Sequence, residues 1–128
     1  MKRLTIKPRP EWEKKVEEVG LIYHHTEGRP YWNESAYYSF SSPEIDRIEA
    51  ATNELQEMCL KAGQHVIDNN RFNELSIPDV AIPVIKHAWE NEPPAIYGRF
   101  DLAYDDQELK LLEYNADTPT ALVEASLA

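Results

Sequence analysis

The sequence predicts an α/β fold in which helices pack on a small mixed or antiparallel sheet, and three observations carry that reading. The first is a long amphipathic segment, where Ile45, Ile48, Thr52, Leu55, Cys59, Ala62 and Val66 recur at three-four spacing. The second is a pair of strand-like runs, Tyr97-Gly98-Arg99-Phe100-Asp101 and Leu112-Glu113-Tyr114-Asn115, on either side of a polar turn. The third is size. A chain of 128 residues with 42% hydrophobic and 28% charged residues suits a single domain around one core.

Taken in order, residues 1–9 read as extended, because Pro8 and Pro10 oppose helix. Pro10 suits a first helical turn, and Trp12, Val16 and Val19 continue at helical spacing to Gly20. Residues 21–40 read as irregular and rich in aromatics, a composition that suits a folded lid, a pocket wall or satellite packing. The long helix starts at Ser42-Pro43-Glu44, with Ser42 as N-cap, and ends near Asn69 and Asn70. Cys59 lies on its apolar stripe and reads as core rather than nucleophile. A second helical segment runs from Ser76 past Pro83, as first turn or kink, to about Asn91. Glu92-Pro93-Pro94 breaks the chain before the hairpin. Thr118 could cap a last helix through Leu127, with Pro119 at its first position. That helix closes on Ser126-Leu127-Ala128 without a C-cap, which predicts a module cut at its C-terminal side. Apolar surface left uncovered there would favour self-association.

Bulk properties exclude several functions. A net charge of −10 opposes nucleic-acid binding, which needs a basic face. No apolar run is long enough to cross a membrane. The single Cys59 rules out an intrachain disulfide framework and fits a reducing, cytoplasmic setting. The four glycines form no phosphate loop or dinucleotide fingerprint. His24-His25 has no Cys or further His at zinc spacing, and adjacent residues do not ordinarily converge.

The hairpin carries the chemistry. Strand residues two apart share a face, so Arg99 groups with Asp101, and Glu113 with Asn115. If the two faces coincide, they present two carboxylates, an amide oxygen and a cation, a set suited to Mg²⁺ and a phosphoryl group. A three-residue loop at 105–107 sets Arg99 opposite Glu113; a loop two residues longer sets Asp101 opposite Glu113. An even loop would separate the carboxylates, so the functional reading predicts an odd one. It also places Leu109 and Leu111 beneath the polar groups, and Ile96, Phe100, Leu102, Leu112 and Tyr114 on the core face. Gly98 marks a bulge or a close backbone approach, which would let a ligand lie near the strand. The bland alternative is a surface hairpin closed by an Arg99–Glu113 ion pair.

Tyr97-Gly98-Arg99-Phe100-Asp101 and Leu112-Glu113-Tyr114-Asn115-Ala116-Asp117 together resemble the signature of the glutathionylspermidine synthase family. The resemblance reaches back through Tyr37-Tyr38 and the long helix, and matches the N-terminal, pre-ATP-grasp-like part of a synthetase module. It implies an ATP-dependent acid–amine ligase, which activates a carboxylate as an acyl phosphate that an amine then attacks. Glutathione or a similar acid and spermidine or a similar amine would be the substrates, with ATP and two Mg²⁺ ions. By motif, Asp101, Glu113 and Asn115 would hold metal, and Arg99 would be the catalytic cation. Arg99 and Asp101 would contact nucleotide, and Arg99, Thr118 and Thr120 the acid substrate. The family's Asn-Ala-Asp-Ser-x-Ser pattern is here Asn115-Ala116-Asp117-Thr118-Pro119-Thr120, which keeps the hydroxyls but adds methyls and a rigid proline. This variant looks more like the short, amidase-free homologues. The nucleotide clamp would lie beyond Ala128, so the 128-residue chain alone is predicted to be inactive. The alternative is a non-catalytic domain that binds a polyamine or a partner subunit.

Overall fold

The computed structural model describes residues 1–105, 107–116 and 120–128. Its elements are β1 (Lys2–Thr5), α1 (Trp12–Glu18), β2 (His25–Thr26), β3 (Arg29–Pro30), β4 (Ala36–Ser39), α2 (Ser42–Asp68), α3 (Ile82–Asn91), β5 (Arg99–Tyr104), β6 (Leu109–Asn115) and α4 (Leu122–Ser126). Two 3₁₀ turns, Arg71–Leu75 and Asp79–Ala81, link α2 to α3. The strands form three separate antiparallel pairs, β1 with β4, β2 with β3 and β5 with β6.

Local chemistry explains most boundaries. α2 starts one residue earlier than expected, because Ser41 rather than Ser42 is the cap. Glu44 stands three residues after Ser41 and closes a capping box, accepting from the Ser41 amide at 2.7 Å. Pro43 then falls in the first turn, where its missing N–H costs nothing. α1 begins at Trp12 because Glu11 is left-handed, with φ 54°. Its end is set by Gly20, whose φ of 98° lets the Leu21 amide donate to the Val16 carbonyl at 2.9 Å. Pro83 lies in the first turn of α3. The "irregular" 21–40 segment in fact contains three short strands; two of them are only two residues long, too short to show periodicity.

The core is thin. Among the described residues the buried apolar side chains are Val16, Leu21 and Phe72. No residue of α2 is fully buried, Ile45, Met58 and Leu60 are about half exposed, and Cys59 is only half-buried. The helix pair α2 and α3 closes where the Trp89 ring lies over Gly63: a Cβ there would meet Cη2 at 2.8 Å. Trp89 Nε1 also donates to Gln64 Oε1 at 2.7 Å.

Glu34 ties the N-terminal arm to the β3–β4 connection. Its carboxylate accepts from Arg9 Nε at 3.0 Å, from the Arg9 amide at 3.2 Å and from Trp32 Nε1 at 3.0 Å. The Arg9 guanidinium, opposed by desolvation and helped by Trp32, lowers this carboxyl from an ordinary 4.5 to about 2. A carboxylate depressed in the folded state adds stability above its unfolded pKa, and the gain drains away as pH falls from 4.5 towards 2. Glu34→Gln should therefore be less stable than the parent at pH 7 by about 1.5–3 kcal/mol. The difference should shrink steadily below pH 4.5. Urea titrations at pH 7 and pH 3 check this, and an unchanged gap at pH 3 contradicts it.

Candidate functional site at the hairpin

The β5–β6 hairpin lies against α2. Tyr114 donates its hydroxyl to Gln56 Oε1 at 2.6 Å, Tyr104 to Glu44 Oε1 at 3.3 Å, and Arg47 to the Gln107 carbonyl. Arg47 also sits over the Tyr104 ring, 6.0 Å from its centroid. Phe100 and Tyr114, an opposed pair, stack at 4.1 Å between centroids. On this side a cleft of about 550 Å³ is bounded by Thr52, Gln56, Gly98, Phe100 and Tyr114.

Register decides what the other side presents. Tyr104 pairs with Leu109, which leaves a four-residue loop at 105–108. Asp105 fixes it, since Oδ1 accepts the amides of Gln107 at 2.8 Å and Glu108 at 2.6 Å. These two bonds hold the Asp105 carboxyl below its usual range. The loop is even, contrary to the requirement for an odd one. The ladder nevertheless changes register between Asp101 and Leu102, and Leu112 is the extra residue. One bulged residue restores the phase that an even loop removes. Asp101 then stands opposite Glu113, and Arg99 opposite Asn115.

Three expectations do not hold, the first two because of this bulge. Leu109 and Leu111 do not lie under the polar groups; they face α2, lining a recess with Ala51, Leu55 and Met58. Leu112 is not on the core face but is the bulge residue, 70% exposed. Ile96, also expected on the core face, is 93% exposed because it precedes the ladder.

On the polar face Arg99 is the hub. Its Nε donates to Asp101 Oδ1 at 2.8 Å, and Nη1 donates to the Thr120 hydroxyl. The Asn115 amide satisfies both neighbours in one orientation: its oxygen accepts from Arg99 Nη2 at 3.1 Å, and its nitrogen donates to Glu113 Oε1 at 3.0 Å. The ion pair is thus within one strand, Arg99 with Asp101, not across the hairpin to Glu113. That hydrogen bond is the main reason the Arg99 pKa is raised. The hub is half open to solvent, with the Arg99 side chain 35% and Asp101 40% exposed. Thr118 lies outside the described residues, as do Asp117 and Pro119.

Three further residues meet this face. The Tyr97 hydroxyl donates to the Thr120 carbonyl at 3.2 Å, and Tyr31 donates to Glu124 Oε1 of α4 at 2.6 Å. That bond raises the Tyr31 pKa and lowers that of Glu124, while the Arg99 charge acts on Tyr31 in the opposite sense. Tyr97 was legible, since it stands two residues before Arg99. Tyr31 was not: only the fold brings it to a partner 93 residues away.

Gly98 has another role than the one expected. A Cβ there would meet the Tyr114 ring at 3.0 Å and its hydroxyl at 3.1 Å, so the close approach is made by Tyr114 rather than a ligand. Gly98→Ala should displace Tyr114 from Gln56 and cost about 1–3 kcal/mol. A crystal structure of the variant with Tyr114 unmoved would refute this.

The donor set is chemically consistent. Two carboxylates and an amide oxygen are hard ligands that suit Mg²⁺, and a guanidinium beside them suits phosphoryl or carboxylate oxygens. Comparisons with known proteins place the chain in a family. Residues 3–128 match the family described as glutathionylspermidine synthase pre-ATP-grasp. The chain belongs to this family. It is 40% identical to the "Putative acid--amine ligase" of Haemophilus influenzae, over 99% of this chain and 33% of that protein. It is 34% identical to the bifunctional glutathionylspermidine synthetase/amidase of Escherichia coli, over 71% of this chain and 15% of that one. The trypanothione synthetase of Crithidia fasciculata is 35% identical over 61% of this chain and 12% of its own length. The chain therefore spans a third or less of these relatives. No solved structure matches it. Among the described residues, no helix is long and apolar enough to cross a membrane.

Proposed function

We propose that this chain forms the pre-ATP-grasp part of an ATP-dependent acid–amine ligase, and that the polar face of β5–β6 is its contribution to the active site. The observation that carries the reading is the bulge-corrected register, which sets Asp101 against Glu113 and Arg99 against Asn115 on one face. Asp101, Glu113 and Asn115 would hold Mg²⁺, which when bound supplies charge neutralisation for the nucleotide phosphates. Arg99 reaches three different oxygens in the fold, those of Asp101, Asn115 and Thr120. A guanidinium so placed can exchange such partners for the oxygens of a phosphoryl group or an acyl phosphate, and holds positive charge where negative charge develops. Thr120, fixed between Arg99 and Tyr97, offers its hydroxyl to the acid substrate. Thr118 would act beside it.

Glutathione with spermidine is the substrate pair suggested by the names of the relatives. A cytoplasmic setting fits the lone Cys59. The exposed apolar side chains of α2, Met58 and Leu60 among them, suit cover by the remaining parts of a ligase or by a second copy. The test is ADP release by the complete reading-frame product with ATP, Mg²⁺, glutathione and spermidine, then with related acids and amines. Turnover that needs both acid and amine supports the proposal. Polyamine binding without ATP consumption by any pair would favour a non-catalytic binding domain.

A further inference from the structure

A second cluster lies away from the hairpin site, where α1 meets the start of β2. Glu13 and Glu17 are one turn apart on α1, so both carboxylates leave the same face. Consecutive residues in extended chain normally point to opposite sides. Here they do not: the His24 and His25 rings turn towards each other, with centroids 4.8 Å apart and Nδ1 atoms 2.7 Å apart. Trp12 packs against both, its ring centroid 5.5 Å from that of His24 and 5.8 Å from that of His25. His24 is held further by its Nε2, which donates to Glu17 Oε1 at 2.8 Å, so in the neutral ring the lone pair is on Nδ1. Glu13 approaches from the other side, with Oε1 3.9 Å from His25 Nε2. One donor atom from each of Glu13, His24 and His25 lies within 4.8 Å of the other two.

From this geometry we propose that Glu13, His24 and His25 form a binding site for a divalent transition metal of the Zn²⁺ type. Two imidazoles and a carboxylate are a borderline donor set, distinct from the hard oxygens of the hairpin, so the two sites select different ions. A tetrahedral ion with ligands at about 2.0–2.1 Å spreads neighbouring donor atoms to roughly 3.3 Å. The two Nδ1 atoms need to open by about half an ångström or slightly more, and Glu13, whose donor atom lies within 4.8 Å of one on each histidine, to close by up to about 1.5 Å on that scale. The side chains that must move are half exposed, His25 at 49% and Glu13 at 55%, whereas His24 at 14% stays fixed. The proton that links the two Nδ1 atoms shifts to the other His25 nitrogen, and water completes the shell. Glu17 is a positioning residue: it accepts the His24 Nε2 proton and so orients Nδ1 towards the ion.

The test is calorimetric titration of the 128-residue protein with ZnCl₂, followed by the absorption spectrum of the Co²⁺ form. One equivalent of Zn²⁺ at micromolar affinity or tighter is expected, with visible Co²⁺ bands of tetrahedral type. His25→Gln and Glu13→Gln should each weaken binding at least tenfold, while His87→Gln, on α3, should not. Circular dichroism checks the fold of each variant. If His25→Gln disturbs it, the more exposed Glu13→Gln decides. Affinity no tighter than millimolar, or equal affinity in the variants, would leave a hydrogen-bonded histidine pair and overturn the proposal.

Discussion

Under the proposed function, replacing Glu113 by alanine should reduce acid–amine ligation by roughly 10²–10³-fold, the loss seen when one preorganised electrostatic partner is removed. Asp101→Ala should do the same, because the two carboxylates form one opposed pair and neither alone completes the donor set. Stability should barely change. Glu113 is exposed, and surface ion pairs contribute about 0–1 kcal/mol. The combination separates catalysis from mere ion-pairing: activity falls while the thermal midpoint stays within a degree or two. Arg99→Lys should not rescue activity, since an ammonium cannot match the fork that reaches Asp101, Asn115 and Thr120 together. Steady-state rates and melting curves on the same preparations supply the check. If Glu113→Ala keeps activity within twofold of the parent, the polar face is not part of the active site.

The largest effect on stability is expected at Phe72. Its side chain is 2% exposed; among the described residues it is fully buried together with Val16, while Leu21 is 6% exposed. It sits in the 3₁₀ turn after α2, where its carbonyl accepts the Ile77 amide at 3.1 Å and its ring carries Lys86 Nζ at 5.5 Å. The ring thus anchors the α2–α3 connection from inside. Phe72→Ala should cost about 3–5 kcal/mol. Natural domains have a total margin of about 5–15 kcal/mol, so with so small a core the variant should unfold at low urea or lack a cooperative transition. Phe72→Leu, which keeps much of the volume, should lose clearly less. Leu112→Ala, at an exposed bulge position, should change stability by less than about 0.5 kcal/mol. Equal losses at positions 72 and 112 would show that burial does not control the stability of this chain.

The elements were largely legible because their signals are local. The three-four stripe of α2, the proline in the first turn of α3 and the two strand runs all stand in the sequence and in the fold. The cap of α2 was misplaced by one residue because Ser41 and Ser42 are chemically equal, and only Glu44 at the third position distinguishes them. The short strands β2 and β3 were hidden because a two-residue strand has no period to detect.

By itself the sequence determined which polar residues belong to one strand face: Arg99 with Asp101, and Glu113 with Asn115. Tertiary structure alone decided whether those two faces coincide. An even loop would have parted them, and the bulge at Leu112 brought them back, because side chains alternate with a period of two and a single extra residue reverses the phase. The same holds for His24 and His25. Their spacing argued against convergence, but the rings are turned together by Trp12 and Glu17 from another element. Side-chain direction at such points is fixed by what packs against the chain, and a linear pattern does not contain that neighbour.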